Sequence, residues 1–76
     1  MKWIDINESL PKECLYPNLL LRVIHGDQIV KDTGFLRGNV WYWGVMDYHH
    51  NDIEVEDPIT HWIYLCDIPE PQLKEI

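Results

Sequence analysis

The sequence of 76 residues predicts a mainly β domain, or a small α+β fold, built around a three-stranded antiparallel meander. Three runs rich in β-branched and aromatic residues carry this prediction: LLLRVIH, QIVKDTGFLR and VWYWGVM. The runs are separated by Gly26-Asp27 and Gly38-Asn39. A two-residue loop led by glycine is typical of a β-hairpin, because glycine readily takes the positive φ of a type I′ or II′ turn. The apolar spacing of an amphipathic helix is not sustained in the middle of the chain.

The two turns also fix a register. They place His25 opposite Gln28 and Gly34 opposite Trp43, where a glycine would leave room for the indole. One face then collects the residues predicted to form the core: Leu19, Leu21, Val23, Val30, Leu36, Trp41, Trp43 and Val45. Asp32 falls on this face as an exception, and a β-bulge near Thr33-Gly34 would re-aim its side chain.

The remaining segments are assigned around the meander within a single domain. Residues 1–17 are the N-terminal cover, 18–46 the meander, 47–59 a polar loop, 60–66 a short fourth extended segment, and 67–76 a proline-containing tail with polyproline character. A three-stranded sheet needs such a cover to be stable. Four apolar residues outside the meander are expected to cover its core face: Trp3, Ile4, Trp62 and Leu65.

Composition narrows the classes of function. The net charge is −7, from 13 acidic and 6 basic residues, which argues against direct binding to nucleic acid and fits solubility or a partner with a basic surface. The N-terminus lacks a signal sequence and no run is long enough to span a bilayer, so a cytoplasmic protein without a membrane partner is expected. Cys14 and Cys66 are then expected to be reduced, with a disulfide between them as the alternative.

The stretch DYHHND holds the densest set of potential metal ligands. His49 and His50 would point to opposite faces of a strand, but in a loop they could share an ion with His61, Cys66 or Asp52. The paired spacing of known zinc motifs is absent, so a solvated loop without metal or cofactor is predicted. The alternative is a small metal-binding protein or metal-dependent enzyme using His49, His50 and His61. No nucleophile motif or phosphate-binding loop is present, which predicts a protein that is not an enzyme.

The second face of the meander mixes apolar and basic side chains, the composition of many interface centres. A protein partner or self-association is predicted there, with a terminal segment covering the face as the alternative. The predicted partner-binding residues are Arg22, Ile24, Ile29, Lys31, Phe35, Arg37 and Tyr42. In a variant of this hypothesis the chain is an acidic decoy for a basic groove, through Glu54, Glu56, Asp57, Glu70 and Glu75.

Both ends of the chain resemble a family of small proteins known as the domain-of-unknown-function 551 family, found in phages, prophages and bacteria. The opening motif is carried by Trp3, Ile4, Leu10 and Pro11, and the closing motif by Thr60, His61, Trp62, Leu65, Pro69, Glu70 and Pro71. The chain departs from the pattern by inserting Cys66-Asp67-Ile68 and by placing Tyr64 where a proline is usual. The resemblance implies a compact fold and a phage or prophage origin, and it assigns no catalytic residue. The function expected is a non-enzymatic, acidic protein-binding module that acts on a host, phage or defence protein or by self-association.

Overall fold

The computed structural model describes residues 2–68, which form one six-stranded antiparallel sheet. The strands are β1 (Ile4–Asp5), β2 (Leu19–His25), β3 (Gln28–Arg37), β4 (Val40–Met46), β5 (Asp52–Glu54) and β6 (Ile59–Tyr64). A 3₁₀ turn follows at Leu65–Asp67. The strand order is β1-β6-β2-β3-β4-β5. No α-helix occurs in residues 2–68, so the mainly β class is the one observed.

The central meander matches the predicted strands and register. His25 pairs with Gln28 across the first turn, and Gly34 pairs with Trp43 in the second hairpin. Gly26 has φ 62°, the single positive φ that a type II′ turn requires at its first central residue. Gly38 and Asn39 have φ 60° and 63°, the two positive values of a type I′ turn.

The structure is more detailed than the predicted three-stranded meander. The segment predicted as a polar loop, residues 47–59, contains β5, and the extended N-terminal stretch contributes β1. The fourth extended segment becomes β6, which pairs with β2 in the middle of the sheet. The meander is therefore extended by β6 and β1 next to β2 and by β5 next to β4.

Gly34 lies where two elements of the sheet approach closely. A Cβ at this position would lie 2.5 Å from the carbonyl oxygen of Tyr42 and still closer to Cδ1 of Leu21. The nearest atoms are therefore those of Leu21 and Tyr42, rather than the Trp43 indole that the sequence suggested. The absent side chain lets a buried leucine and the main chain of β4 pack together.

Asp32 does not sit in a bulge. The pairing of β3 with β2 is continuous from Gln28 to Gly34, so the predicted bulge near Thr33-Gly34 is wrong. The pairing of β3 with β4 runs from Arg37 to Gly34 and ends there. The preceding residue, Thr33, therefore has no partner in β4, and it donates its N–H to Oδ1 of Asp32 at 2.7 Å. The carboxylate is exposed and replaces a strand partner for this main-chain donor.

Apolar residues pack on both faces of the sheet. The first cluster contains Leu19, Leu21, Val23 and Trp62, joined by Ile4, Trp41, Trp43, Val55, Ile59 and Tyr64. The second contains Leu20, Ile63 and Ile68, joined by Trp3 and Leu65. Trp3 and Leu65 were predicted on the first face and this is wrong. Trp3 precedes Ile4 of β1, and neighbouring residues of an extended chain point to opposite sides of a sheet. Leu65 begins the 3₁₀ turn that follows β6.

The segment between β1 and β2 crosses the first cluster. Nε1 of Trp62 donates to the carbonyl oxygen of Ser9 at 2.9 Å, and the N–H of Lys12 donates to the hydroxyl of Tyr64 at 3.0 Å. Farther along, the N–H of Cys14 donates to the carbonyl oxygen of Leu36 at 2.9 Å. These bonds tie the segment to β6 and then to β3, so it covers the core face.

Candidate functional site

The predicted partner-binding residues lie on one face by register, but only part of that face is open. Arg22 pairs with Lys31 and Ile24 pairs with Ile29, near the tip of the first hairpin. Toward the other end of β3, Phe35 is only 2% exposed. The predicted face therefore divides into an open end and a closed end.

The closed end is an internal stack. The rings of Phe35 and Tyr42 have centroids 5.3 Å apart, and the guanidinium of Arg37 lies 4.9 Å from the centroid of Tyr42. Nη2 of Arg37 donates to Oδ2 of Asp52 at 2.7 Å. The hydrogen bond to Asp52, followed by that to Tyr42, raises the pKa of Arg37 above its ordinary value. The side chain of Arg37 is thus held by Asp52 of β5 and by the rings of Phe35 and Tyr42 on the same face.

The open patch consists of Arg22, Ile24, Ile29 and Lys31. Ile24 is 39% and Ile29 53% exposed, and Lys31 is exposed as well. Nη1 of Arg22 donates to Oγ1 of Thr60 at 2.7 Å, a neutral partner. Within residues 2–68, neither Arg22 nor Lys31 has a carboxylate within ion-pair distance. The patch therefore presents two cations beside two apolar side chains.

A bulge in β6 shapes the edge of this patch. Arg22 pairs with His61 whereas Val23 pairs with Ile59, which leaves Thr60 as the extra residue. The Thr60 hydroxyl donates to the carbonyl oxygen of Arg22 at 3.2 Å and accepts from its guanidinium. Because a β-bulge re-aims a side chain, it brings this hydroxyl to the arginine on the neighbouring strand.

The described residues of the two end motifs meet beside Thr60, while Pro69, Glu70 and Pro71 of the closing motif lie outside the described residues. Ile4 pairs with Trp62 and Asp5 pairs with His61. Nδ1 of His61 lies 2.9 Å from Oγ1 of Thr60, and Nε2 lies 4.0 Å from Oδ2 of Asp5. The two motifs marked these residues in the sequence, but the pairing of β1 with β6 that joins them could not be derived from it.

The Asp5, His61 and Thr60 side chains resemble a catalytic triad in type only. The hydroxyl proton of Thr60 goes to the carbonyl oxygen of Arg22, so Nδ1–H of His61 is the donor in the contact between them. The threonine oxygen therefore lacks a base aimed at its proton, which nucleophilic attack requires. These hydrogen bonds link the bulge in β6 to β2, which is a structural role.

The DYHHND loop is organised by Asp47. Oδ1 of Asp47 accepts the main-chain N–H of His49 at 2.8 Å and of Asn51 at 3.0 Å, and His50 has φ 62°. His61 lies on β6, which β2 and β3 separate from β4 and this loop. Across residues 2–68, no three His, Cys, Asp or Glu residues are grouped so that they could hold a metal. The structure does not bring His49, His50 and His61 together.

A cleft that the sequence did not indicate opens beside the closed end of the face. Its volume is about 110 Å³. Leu15, Tyr16, Val45 and Met46 form its rim, and Phe35 and Asp52 lie deeper. Leu15 is 77%, Tyr16 67%, and Val45 and Met46 each 60% exposed. The only signal in the sequence was a pair of apolar residues, Leu15-Tyr16, in a stretch without strand or helix periodicity.

Comparisons with known proteins add no family or fold relative. No family model matches the chain, and neither curated proteins nor solved structures provide a match. The resemblance of the chain ends to the domain-of-unknown-function 551 family stays a prediction. Among residues 2–68, no helix is long and apolar enough to cross a membrane. Both cysteines are free thiols, with Cys14 half-buried and Cys66 exposed.

Proposed function

We propose that the chain is a non-enzymatic protein-binding module and that its contact surface is the rim of the cleft. This cleft surface comprises Leu15, Tyr16, Val45 and Met46. The observation that carries the proposal is that these four large apolar side chains are each at least 60% exposed around one concavity. A contiguous apolar surface around a concavity is typical of a protein interaction site.

The size of the cleft argues for a side chain of a partner rather than a cofactor. Pockets that hold drug-sized ligands have volumes of about 300–1,000 Å³. The cleft, at about 110 Å³, accommodates one apolar side chain. Tyrosine and methionine are enriched in protein interfaces, and an anchor inserted into a pocket carries much of the binding energy of such interfaces.

Charge favours a basic partner. The chain carries a net charge of −7, Asp52 lines the cleft, and Asp47 directly follows Met46 of the cleft surface in the chain. Asp52 is paired with Arg37, so the exposed carboxylate of Asp47 supplies the nearby uncompensated charge. The partner proposed is a protein segment with an apolar anchor next to lysine or arginine. The acidic decoy was predicted from Glu54, Glu56, Asp57, Glu70 and Glu75, of which the last two lie outside the described residues. It is a compatible extension, since Glu54 ends β5 and Glu56 and Asp57 follow it.

A selection from a random peptide library tests this proposal without a known partner. Wild-type protein should enrich peptides that combine an apolar residue with basic residues, and raising the salt concentration from 0.1 M toward about 1 M should weaken their binding. Met46→Glu should abolish binding. The matched control is Ile29→Glu, which makes the same change at a similarly exposed apolar residue of the open patch.

Each other outcome overturns the proposal. Failure to enrich any peptide would argue against a peptide-binding module, and enrichment of acidic peptides would contradict the charge assignment. Loss of binding in Ile29→Glu with retention in Met46→Glu would move the contact to the open patch. A phage or prophage origin, which the resemblance implies, would make a host or defence protein the natural partner to test next.

A further inference from the structure

The sheet has an open edge along the first half of β3. β3 pairs with β2 from Gln28 to Gly34, but its pairing with β4 begins only at Gly34. β4 turns away from this edge, since a Cβ on Gly44 would lie 3.1 Å from Cβ of Pro17, which precedes β2 on the other side of β3. In the part of the chain that the structure describes, no strand pairs with residues 28–33 on the side away from β2.

The hydrogen-bonding pattern of the first hairpin decides which main-chain groups face this edge. The residues that flank a two-residue turn form a hydrogen-bonded pair, so the next pair, Ile24 with Ile29, is not hydrogen-bonded. Ile24 accordingly donates its N–H to the carbonyl oxygen of Pro58, on the other side of β2, at 3.0 Å. The N–H and C=O of Ile29 therefore point away from β2, and by the same alternation so do those of Lys31.

Asp32 ends the open edge. Thr33 is next in the alternation, and its outward N–H donates to Oδ1 of Asp32 at 2.7 Å. The main-chain groups that the described strands leave for pairing are therefore those of Ile29 and Lys31. The apolar side chains beside them are accessible, since Ile29 is 53% and Val30 36% exposed. Such an edge is a template for pairing with another strand.

Charge favours this edge as the place where two copies of the chain meet. The net charge is −7, so two copies repel each other overall. Residues 28–33 are neutral, because Lys31 and Asp32 are their only charged residues. The two outermost strands of the sheet carry only acidic charges, with Asp5 in β1 and Asp52 and Glu54 in β5.

The open edge is also complementary to itself. A two-fold axis through Val30 places Ile29 of each copy opposite Lys31 of the other, and each such pair exchanges both main-chain hydrogen bonds. Val30 then faces Val30 of the second copy, and Asp32 faces Gln28. No like charges lie directly opposite in this register. Axes through Lys31 or Asp32 would set two lysines or two aspartates opposite each other, which is destabilising.

We propose that the open edge of β3 binds a second copy of this chain by antiparallel strand pairing, with Val30 on the two-fold axis. The sheets of the two copies then form one continuous sheet. The interface is confined to residues 28–32 of each copy, so the dimer is weak, as is typical of interfaces that bury less than about 1,200 Å². The cleft surface lies beside Phe35, toward the other end of β3, so the failure of either proposal leaves the other intact.

Analytical ultracentrifugation of the full chain tests the association. The wild-type average mass should rise from 9.1 kDa toward twice that value. The rise should occur between about 10 μM and about 1 mM protein, as for a dissociation constant of about 0.1 mM. Val30→Lys should abolish the rise, because two lysines would then face each other on the axis. The matched control is Val45→Lys, the same change at a 60% exposed valine of β4, and it should associate as the wild type does.

The other outcomes of this experiment overturn the proposal. A wild-type mass that stays at the monomer value up to about 1 mM would exclude the dimer. Loss of association in Val45→Lys with retention in Val30→Lys would move the self-contact to the cleft surface. Both variants reduce the net negative charge, so equal strengthening of association in both would show a general charge effect instead of strand pairing.

Disulfide trapping tests the register without relying on Val30→Lys. In a chain that carries Cys14→Ser and Cys66→Ser, Val30→Cys should form a linked dimer under a mild oxidant. Opposite residues of a non-hydrogen-bonded pair have Cα atoms about 4.5 Å apart, within the range that a disulfide spans. Asp32→Cys is the control, because the register separates its two copies by about 13 Å along the strands. It should stay unlinked, and any other pattern of linkage overturns the proposed pairing.

Discussion

Replacing Gly34 by alanine should destabilise the protein although the added group is only a methyl. The new Cβ would lie 2.5 Å from the carbonyl oxygen of Tyr42 and closer to Cδ1 of Leu21. Leu21 is fully buried, so its side chain has no open space into which to turn. The carbonyl of Tyr42 is held by the pairing of its strand with Phe35. Both obstacles therefore resist the methyl group.

The magnitude follows from two opposing contributions. Overpacking in a close-packed core costs about 1–3 kcal/mol, and the obstacle from the main chain favours the upper half of that range. Alanine also lowers the entropy of the unfolded chain, which returns about 0.4–1 kcal/mol. The net loss expected for Gly34→Ala is about 2 kcal/mol. A domain of this size loses about 4–8 °C in Tm per kcal/mol, so Tm should fall by about 8–16 °C.

Thermal and urea unfolding, each followed by tryptophan fluorescence, measure this change. Gly38→Asn serves as the control, since Gly38 has φ 60° in a type I′ turn, a Cβ at this position would meet no atom within 4 Å, and asparagine tolerates this conformation. The control should lose less than about 1 kcal/mol. A Gly34→Ala protein as stable as wild type, or only as destabilised as Gly38→Asn, would refute the steric argument.

Two further predictions concern the cover and the stack. Trp62→Phe removes the Nε1–H that donates to the Ser9 carbonyl and leaves a smaller ring in the core. Urea unfolding should show that the free energy of unfolding falls by about 2–3 kcal/mol. A fall below about 0.5 kcal/mol would mean that this hydrogen bond does not hold the segment between β1 and β2 on the core. Arg37→Ala should lower Tm more than Lys31→Ala does, because it removes an ion pair with Asp52 as well as ring contacts. Since the folded pKa of Arg37 is raised, the contribution of the pair is present below the unfolded pKa and is lost only as the pH rises through the raised value. The Arg37→Ala effect should therefore be equal at pH 7 and pH 9, and a difference between them would contradict this account.

The meander could be predicted from the sequence because its information is local. Each glycine-led turn fixes a register by itself, and the two registers sort the apolar residues to the same face. The pairing of Gly34 with Trp43 follows from the second turn alone. Asp32 was misjudged because its neighbour Thr33 lacks a β4 partner in the register, a fact about the end of a distant pairing.

The outer strands could not be predicted, because they depend on contacts between distant parts of the chain. β5 has three residues within an acidic stretch, and the next residue, Val55, donates its N–H to the carbonyl oxygen of Trp41. The same strand supplies Asp52 to Arg37 and so closes one end of the predicted face. Which half of that face stays open was therefore decided by a residue that the sequence placed in a loop.

The central position of β2 has a consequence for the order of folding. Its partner on one side, β3, follows it across a two-residue turn, whereas 33 residues lie between His25 at the end of β2 and Ile59 at the start of β6, its partner on the other side. Short-range hairpins form before pairings that close long loops. Until β6 arrives, Leu19–Val23 present an unpaired apolar strand edge, which is a template for pairing between molecules. Refolding yield should therefore fall as protein concentration rises, even for a native state that shields this edge completely.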